Sequence, residues 1–148
     1  MDAYLTRGAI ETLRALALVS SSAPATEGFL LGHRRGPRRL VEDVLPTRPG
    51  FFPSLESFFE SDRLLGGRVI GFFSFKPAPA RLKNILAPFA AGKIFLDASP
   101  LASKRGASRS SLSPRAFLVD FDRAFRLRPL PCVREKAEKQ SPKDRRHA

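Results

Sequence analysis

The chain has 148 residues, a formal net charge of +12, 13 phenylalanines, no tryptophan and a single cysteine, Cys132. That length suits one domain whose core removes roughly 68–70% of the unfolded chain's surface from water, and a lone cysteine excludes an internal disulfide and any multi-cysteine zinc site. No apolar run reaches the ~18 residues that a membrane-spanning helix requires, and the cysteine usage makes a reducing cytoplasm the expected compartment.

In chain order, Ile10, Leu13 and Ala17 recur at helical spacing and predict a helix over about residues 5 to 21, capped by Thr6 or Asp2. Asp2, Glu11 and Arg14 interrupt the stretch where a secretory leader would be basic and then purely apolar, so this segment is expected to be structure. After a break at Ser20 to Pro24, "EGFLLGH" (27 to 33) predicts an apolar strand, and the "RRGPRR" turn returns the chain into "LVEDVLP" (40 to 46) as the second arm of a hairpin. "PSLESFFESDRLL" carries Leu55, Phe58, Phe59 and Leu65 at helix-like intervals and predicts a helix. "GGRVIGFFSF" predicts a strand, "ARLKNILAPFAAG" a helix broken at Pro88, and "KIFLDAS" another strand. "RAFLVDF" and "FRLRPLPCV" predict two late strands around a tight turn near Asp122 and Arg123.

The order α-β-β-α-β-α-β-β-β predicts an α/β fold over residues 1 to 133, with a mixed central β-sheet flanked by helices. Residues 134 to 148 hold six basic and three acidic side chains and no large apolar one, which predicts a basic disordered tail. Two further basic clusters lie on expected loops: Arg34, Arg35, Arg38 and Arg39 around Gly36-Pro37, and Lys104, Arg105, Arg109 and Arg115 in a serine-rich stretch. These are candidate anion or nucleic-acid contacts. Nucleic acid is the weaker partner class, because no aromatics are interleaved with the charges. Cys132 is expected to be a small buried hydrophobe.

Several strings, in this order, resemble the JAB/MPN domain of the JAMM metallopeptidases: "GFLLG" is similar to a Gly-x-Leu-x-Gly strand, and "VIGFFSFKP" to a Gly-aromatic-aromatic-His-x-His-Pro strand. The resemblance implies an MPN/JAB (cytidine deaminase-like) architecture. It also implies where catalytic groups should stand: two His and an Asp on zinc, and a Glu that activates the metal-bound water. At those positions this chain carries Ser74 and Lys76 for the two His, Ala87 for the Asp and Ala25 for the Glu, with Asn84 at the motif serine. An ammonium has no lone pair to offer a metal, so the expectation is a pseudoenzyme without metal or cofactor. The family's members lacking the motif characteristically pair with related domains or organise assemblies, which implies a protein-binding or scaffolding module with a related domain or a second copy as partner. A displaced-site metallo-isopeptidase and a basic nucleic-acid module are the alternatives.

Glu27 is expected to be a solvated residue where its strand begins, and His33 a solvated strand-end residue; the other histidine, His147, falls in the expected tail. Ser74 and Lys76 share a strand face and would be a nucleophilic pair only with a buried, neutral lysine. Alternatively, the Lys76 ammonium would occupy a polar pocket with Ser74 and Asn84. Phe73 and Phe75 point away from that face and, with Phe29, Leu31, Phe95 and Phe117, are expected to build the core. Any of Phe51, Phe52, Phe58 and Phe59 that stands exposed would form a binding patch.

Overall fold

The computed structural model describes residues 1–20, 26–47, 55–77, 79–99 and 112–136. Alternating apolar positions at the very start of the chain form a strand, β1 (Asp2–Leu5), just ahead of the expected helix, where no strand was expected. Helix α1 (Arg7–Ser20) follows, and Thr6 is its cap: the Thr6 hydroxyl accepts the Ala9 N–H at 3.2 Å. Strands β2 (Glu27–Arg35) and β3 (Arg38–Pro46) form the hairpin around Gly36, helix α2 (Leu55–Leu64) leads into β4 (Val69–Ser74), and a one-turn helix α3 (Pro79–Leu82) precedes β5 (Ile94–Asp97). Three more strands close the chain: β6 (Arg115–Phe121), β7 (Phe125–Leu130) and β8 (Cys132–Arg134).

The eight strands among the described residues belong to one sheet in the order β7-β6-β5-β4-β2-β3-β1-β8. The two edge strands are therefore separated along the chain by Pro131 alone. Two residues of extended chain reach only about 7 Å, so the sheet must curl until its edges nearly meet. Ala3 N–H donates to the Pro131 carbonyl at 3.0 Å, and the Arg134 guanidinium donates to the Leu112 carbonyl just before β6, which ties the two edges together. This strand-dominated, barrel-like sheet replaces the expected α/β sheet flanked by helices. The MPN/JAB architecture implied by the short strings is overturned with it.

Two features account for the difference. The segment expected as a second core helix is a single turn, Pro79–Leu82, followed by irregular turns, and Pro88, with Ala87 before it extended at φ −148° and ψ 161°, rules out its continuing as a helix beyond that point. "FRLRPLPCV" splits at Pro131 into two strands on opposite edges rather than one. The expected tail boundary also moves. Arg134 ends β8, and the Glu135 carboxylate accepts the Arg7 N–H at 3.0 Å at the start of α1, where negative charge suits the helix dipole. Residues 137–148 lie outside the described residues.

The curl divides the core in two. Side chains from every strand of the sheet except β8 gather in one cluster with Ala9, Ile10 and Leu13 of α1, and that cluster joins Leu5 of β1 to Leu130 of β7. Residues near opposite edges of a sheet touch only on its concave face. The convex face carries a second cluster under α2, in which Phe58 packs on Phe72 and Phe89 with centroids 6.1 and 5.2 Å apart. Phe29, Phe72, Phe95 and Phe117 stand in register across four strands and belong to this outer cluster. Phe73 and Phe75 lie on the inner one. The single core expected from these phenylalanines is thus two, each buried ring contributing roughly 1.5–3 kcal/mol.

Gly71 permits the close approach of β4 and β5: a Cβ there would stand 2.3 Å from the Ile94 carbonyl oxygen and 2.6 Å from Ile94 Cγ1. Gly71→Ala is expected to lower unfolding stability by about 1–3 kcal/mol, seen as a reduced urea midpoint. Gly36→Ala, strained by φ +55° but meeting no atom within 4 Å, should cost about 1–2 kcal/mol.

Candidate functional site

At the end of the sheet where the resemblance placed its chemistry, four residues stand directly opposite one another: Glu27 on β2, Ser74 on β4, Asp97 on β5 and Arg115 on β6. Opposite residues share a face, and this row lies on the convex side, two positions beyond the aromatic row. Glu27 is 1% exposed, correcting its expectation as a solvated residue, and Ser74 is fully buried. The burial follows from how the strand start is tied down: Thr47 N–H donates to the Glu27 carbonyl at 2.8 Å, and Phe75 N–H donates to the Thr26 carbonyl at 2.9 Å.

The Ser74 hydroxyl accepts the Lys76 backbone N–H at 3.2 Å, a local bond that secures the bend where β4 ends. Lys76 and Asn84 are both exposed, and Ala87 is half-buried in the turns after α3. Neither the Ser74–Lys76 nucleophilic pair nor a polar pocket enclosing the Lys76 ammonium is assembled. Ala25, Phe51, Phe52, Lys104, Arg105, Arg109 and His147 lie outside the described residues. Among the described residues, no group of three metal-ligating side chains is brought together.

Asp97 accepts from the Ser99 amide at 2.9 Å and from its hydroxyl, and its other oxygen takes the Arg115 guanidinium at 2.7 Å. Burial pushes this carboxyl up, but the Ser99 bonds and Arg115 outweigh it and hold Asp97 below the usual carboxylate range.

The opposite end of the curled sheet is basic. Pairing of Arg34 with Arg39 and Arg35 with Arg38 sends the four arginines of the expected cluster to two faces. Arg38 grips Asp2 through two bonds of 3.0 and 2.9 Å and stacks on the Tyr4 ring at 4.6 Å, and its fork holds the Asp2 carboxyl below the usual range. Arg39 turns to the concave side with Val41 and is only 5% exposed. Its Nε and Nη2 donate to the Gly92 carbonyl at 3.3 and 3.2 Å, bridging β3 to the residue before Lys93 and β5, strands with two others between them. Its Nη1 has no acceptor among the described residues.

Lys93 completes this end. Its ammonium donates to the Val69 carbonyl at 3.0 Å and stands 5.1 Å over the Phe58 ring. Burial draws it below the usual lysine range, against the pull of Asp62 and helped by Arg39. Arg34, Arg39 and Lys93 line a cleft of about 380 Å³ with Gly32, His33 and Gly92. His33 is the exposed residue expected, and its Nδ1 pairs with Glu42 at 2.9 Å. Cys132 is half-buried against the inner core, and burial pushes its thiol up, as suits a packing residue. Sequence reasoning found Arg34 and Arg39 but missed Lys93 and Asp97, each a single charged residue at a strand boundary with no repeating signal.

The fold is similar to that of a solved protein. The solution structure of protein DSY2949 from Desulfitobacterium hafniense matches 91% of this chain and 94% of its own length, with a TM-score of 0.61 and 18% sequence identity. No protein-family model and no curated protein matches the chain. Among the described residues, no helix is long and apolar enough to cross a membrane.

Because its folded pKa is depressed, Asp97 contributes stability that is complete above the unfolded value of about 3.9 and is lost as pH falls through the folded value. Asp97→Asn should therefore lower stability by about 1–3 kcal/mol at pH 7, with the difference from wild type shrinking below about pH 4 in urea titrations across pH.

Proposed function

We propose that this chain is a non-catalytic binding module whose partner is another protein, either a related domain or a second copy, in a reducing cytoplasm. The observation that carries this reading is the fate of the Ser74 hydroxyl. It is fully buried and already accepts a backbone N–H, so it is spent on holding a bend, and the Ser99 hydroxyl at the same end is bonded to Asp97. The positions of the motif's ligands, Lys76, Asn84 and Ala87, carry no carboxylate or imidazole, and of the two carboxylates opposite Ser74, that of Asp97 is taken by Ser99 and Arg115. The role is the one that the strings resembling JAB/MPN domains imply for members without the metal motif. The curled sheet contradicts the architecture that this resemblance implies, so the binding role rests on the site itself and not on the strings.

Exposed aromatics favour protein over nucleic acid as the partner. Phe59 of α2 is 59% exposed and meets Phe58 edge-on at 5.6 Å, and Phe121 is 60% exposed and meets Phe125 at 4.9 Å. Exposed rings set against a neighbouring ring, buried in Phe58 and half-buried in Phe125, suit protein interfaces, whose cores are enriched in aromatic residues. The arginine cluster that would grip a nucleic-acid backbone is divided: Arg38 is occupied by Asp2 and Arg39 is buried.

Affinity purification of the full chain at moderate salt is expected to recover a defined protein or the chain itself, with recovery falling about tenfold or more in a Phe59→Ser, Phe121→Ser double variant. Elemental analysis of the purified protein should give far less than one zinc per chain. Stoichiometric zinc, or capture that vanishes with added salt while the double variant behaves as wild type, would sink the proposal.

A further inference from the structure

The basic cleft does not serve the protein-binding reading, and it carries an inference of its own. Its lining brings three cationic groups together, Arg34, Arg39 and Lys93, with no carboxylate among the lining residues described. Glu42 is engaged outside it, 2.9 Å from His33 and 3.6 Å from Arg68. Asp62 draws on Lys93 from a distance while accepting the Val69 N–H at 3.0 Å. Arg39 is withdrawn from water and Lys93 is half-buried, and one donor of the 95% buried guanidinium, Arg39 Nη1, has no acceptor among the described residues. A buried charged donor left unmatched is costly, and like charges gathered with only the distant Asp62 drawing on them add to that cost.

We propose that this cleft binds the phosphate group of a small phosphomonoester, with Arg34 and Lys93 meeting its oxygens and Arg39 supplying charge from the floor. A phosphomonoester brings nearly two negative charges and three acceptor oxygens, which suits three cations better than a single carboxylate does. About 380 Å³ is several times the volume of one phosphate, and Val69, Ile70 and Ala91 also line the space, so there is room for a compact organic substituent. The backbone N–H groups of Gly32, Gly67 and Gly92 are already bonded to carbonyls, so recognition rests on the side chains rather than on a backbone cradle. The inference is independent of the protein-binding proposal and survives or fails separately.

The test uses the full chain with inorganic phosphate, ribose 5-phosphate and a single-stranded oligonucleotide lacking a terminal phosphate, all at one ionic strength set with chloride. Phosphate and ribose 5-phosphate are expected to raise the melting temperature saturably, as ligands that bind only the folded state do, and to compete in phosphorus-31 line-broadening measurements. Lys93→Met, which keeps the packing against Phe58, should weaken binding about tenfold, and the surface variant Arg34→Gln about fivefold. Arg39 variants are avoided as the deciding arm because Arg39 also bridges two strands. A melting shift no larger than chloride gives, or unchanged affinity in both Lys93→Met and Arg34→Gln, would overturn the proposal. So would an oligonucleotide that displaces ribose 5-phosphate, since the cleft would then belong to a general polyanion surface.

Discussion

One covalent constraint organises this molecule: the edge strands β7 and β8 are joined through Pro131 alone, although six strands lie between them in the sheet. A flat eight-stranded sheet, at about 4.8 Å per strand, would hold these edges more than 30 Å apart. The chain permits about 7 Å. Curling is therefore forced, and the inner face must fill with side chains from nearly every strand while the outer face needs a separate cover. α1 completes the first core and α2 the second. The same curl leaves two open ends, and both clusters of chemistry lie there.

Those ends are built in different ways. At one, Glu27, Ser74, Asp97 and Arg115 form a row whose members are bonded into the sheet, and Asp97 is matched on both oxygens. Such a row rigidifies a rim, because a buried carboxylate with its full complement of donors resists any motion that would strip one away. At the other, Arg39 reaches from β3 to the backbone before β5, closing the mouth with a charged strut. A hydrocarbon side chain could span that gap without the cost of burying a guanidinium.

The strands were legible in the sequence where local signals suffice. "EGFLLGH" and "LVEDVLP" became β2 and β3 because an apolar run on either side of Gly36-Pro37 leaves little choice but a hairpin, and "KIFLDAS" and "RAFLVDF" became β5 and β6 for similar reasons. β1 was hidden because four alternating residues directly before a helix look like its first turn. Its pairing with β3 and β8 is non-local in sequence. The division of the phenylalanines into two cores was equally hidden, since alternation shows that Phe72 and Phe73 face opposite ways but not that both faces are covered. Architecture failed for the same reason: strand order and curl depend on pairings that no single segment encodes.

The site was legible in part, and the missing part has a physical cause. Alternation along a hairpin predicts that Arg38 and Arg39 point apart, so the arginine cluster could not act as one surface. Which of them enters the fold depends on which face is concave, and the curl that creates a concave face is imposed by the link at Pro131, more than 90 residues away. Lys93 is an isolated lysine ahead of a strand, ordinary until the curl sets it beside Arg39 and over Phe58. A basic cleft assembled by curvature thus leaves almost no mark in composition. The net charge of +12 points to loops and tail, whereas of the three charges that converge on one small cleft Arg39 is buried and Lys93 half-buried. Where a charge is placed against the low-dielectric interior decides its effect more than how many there are, and here that placement follows from the closure of the sheet.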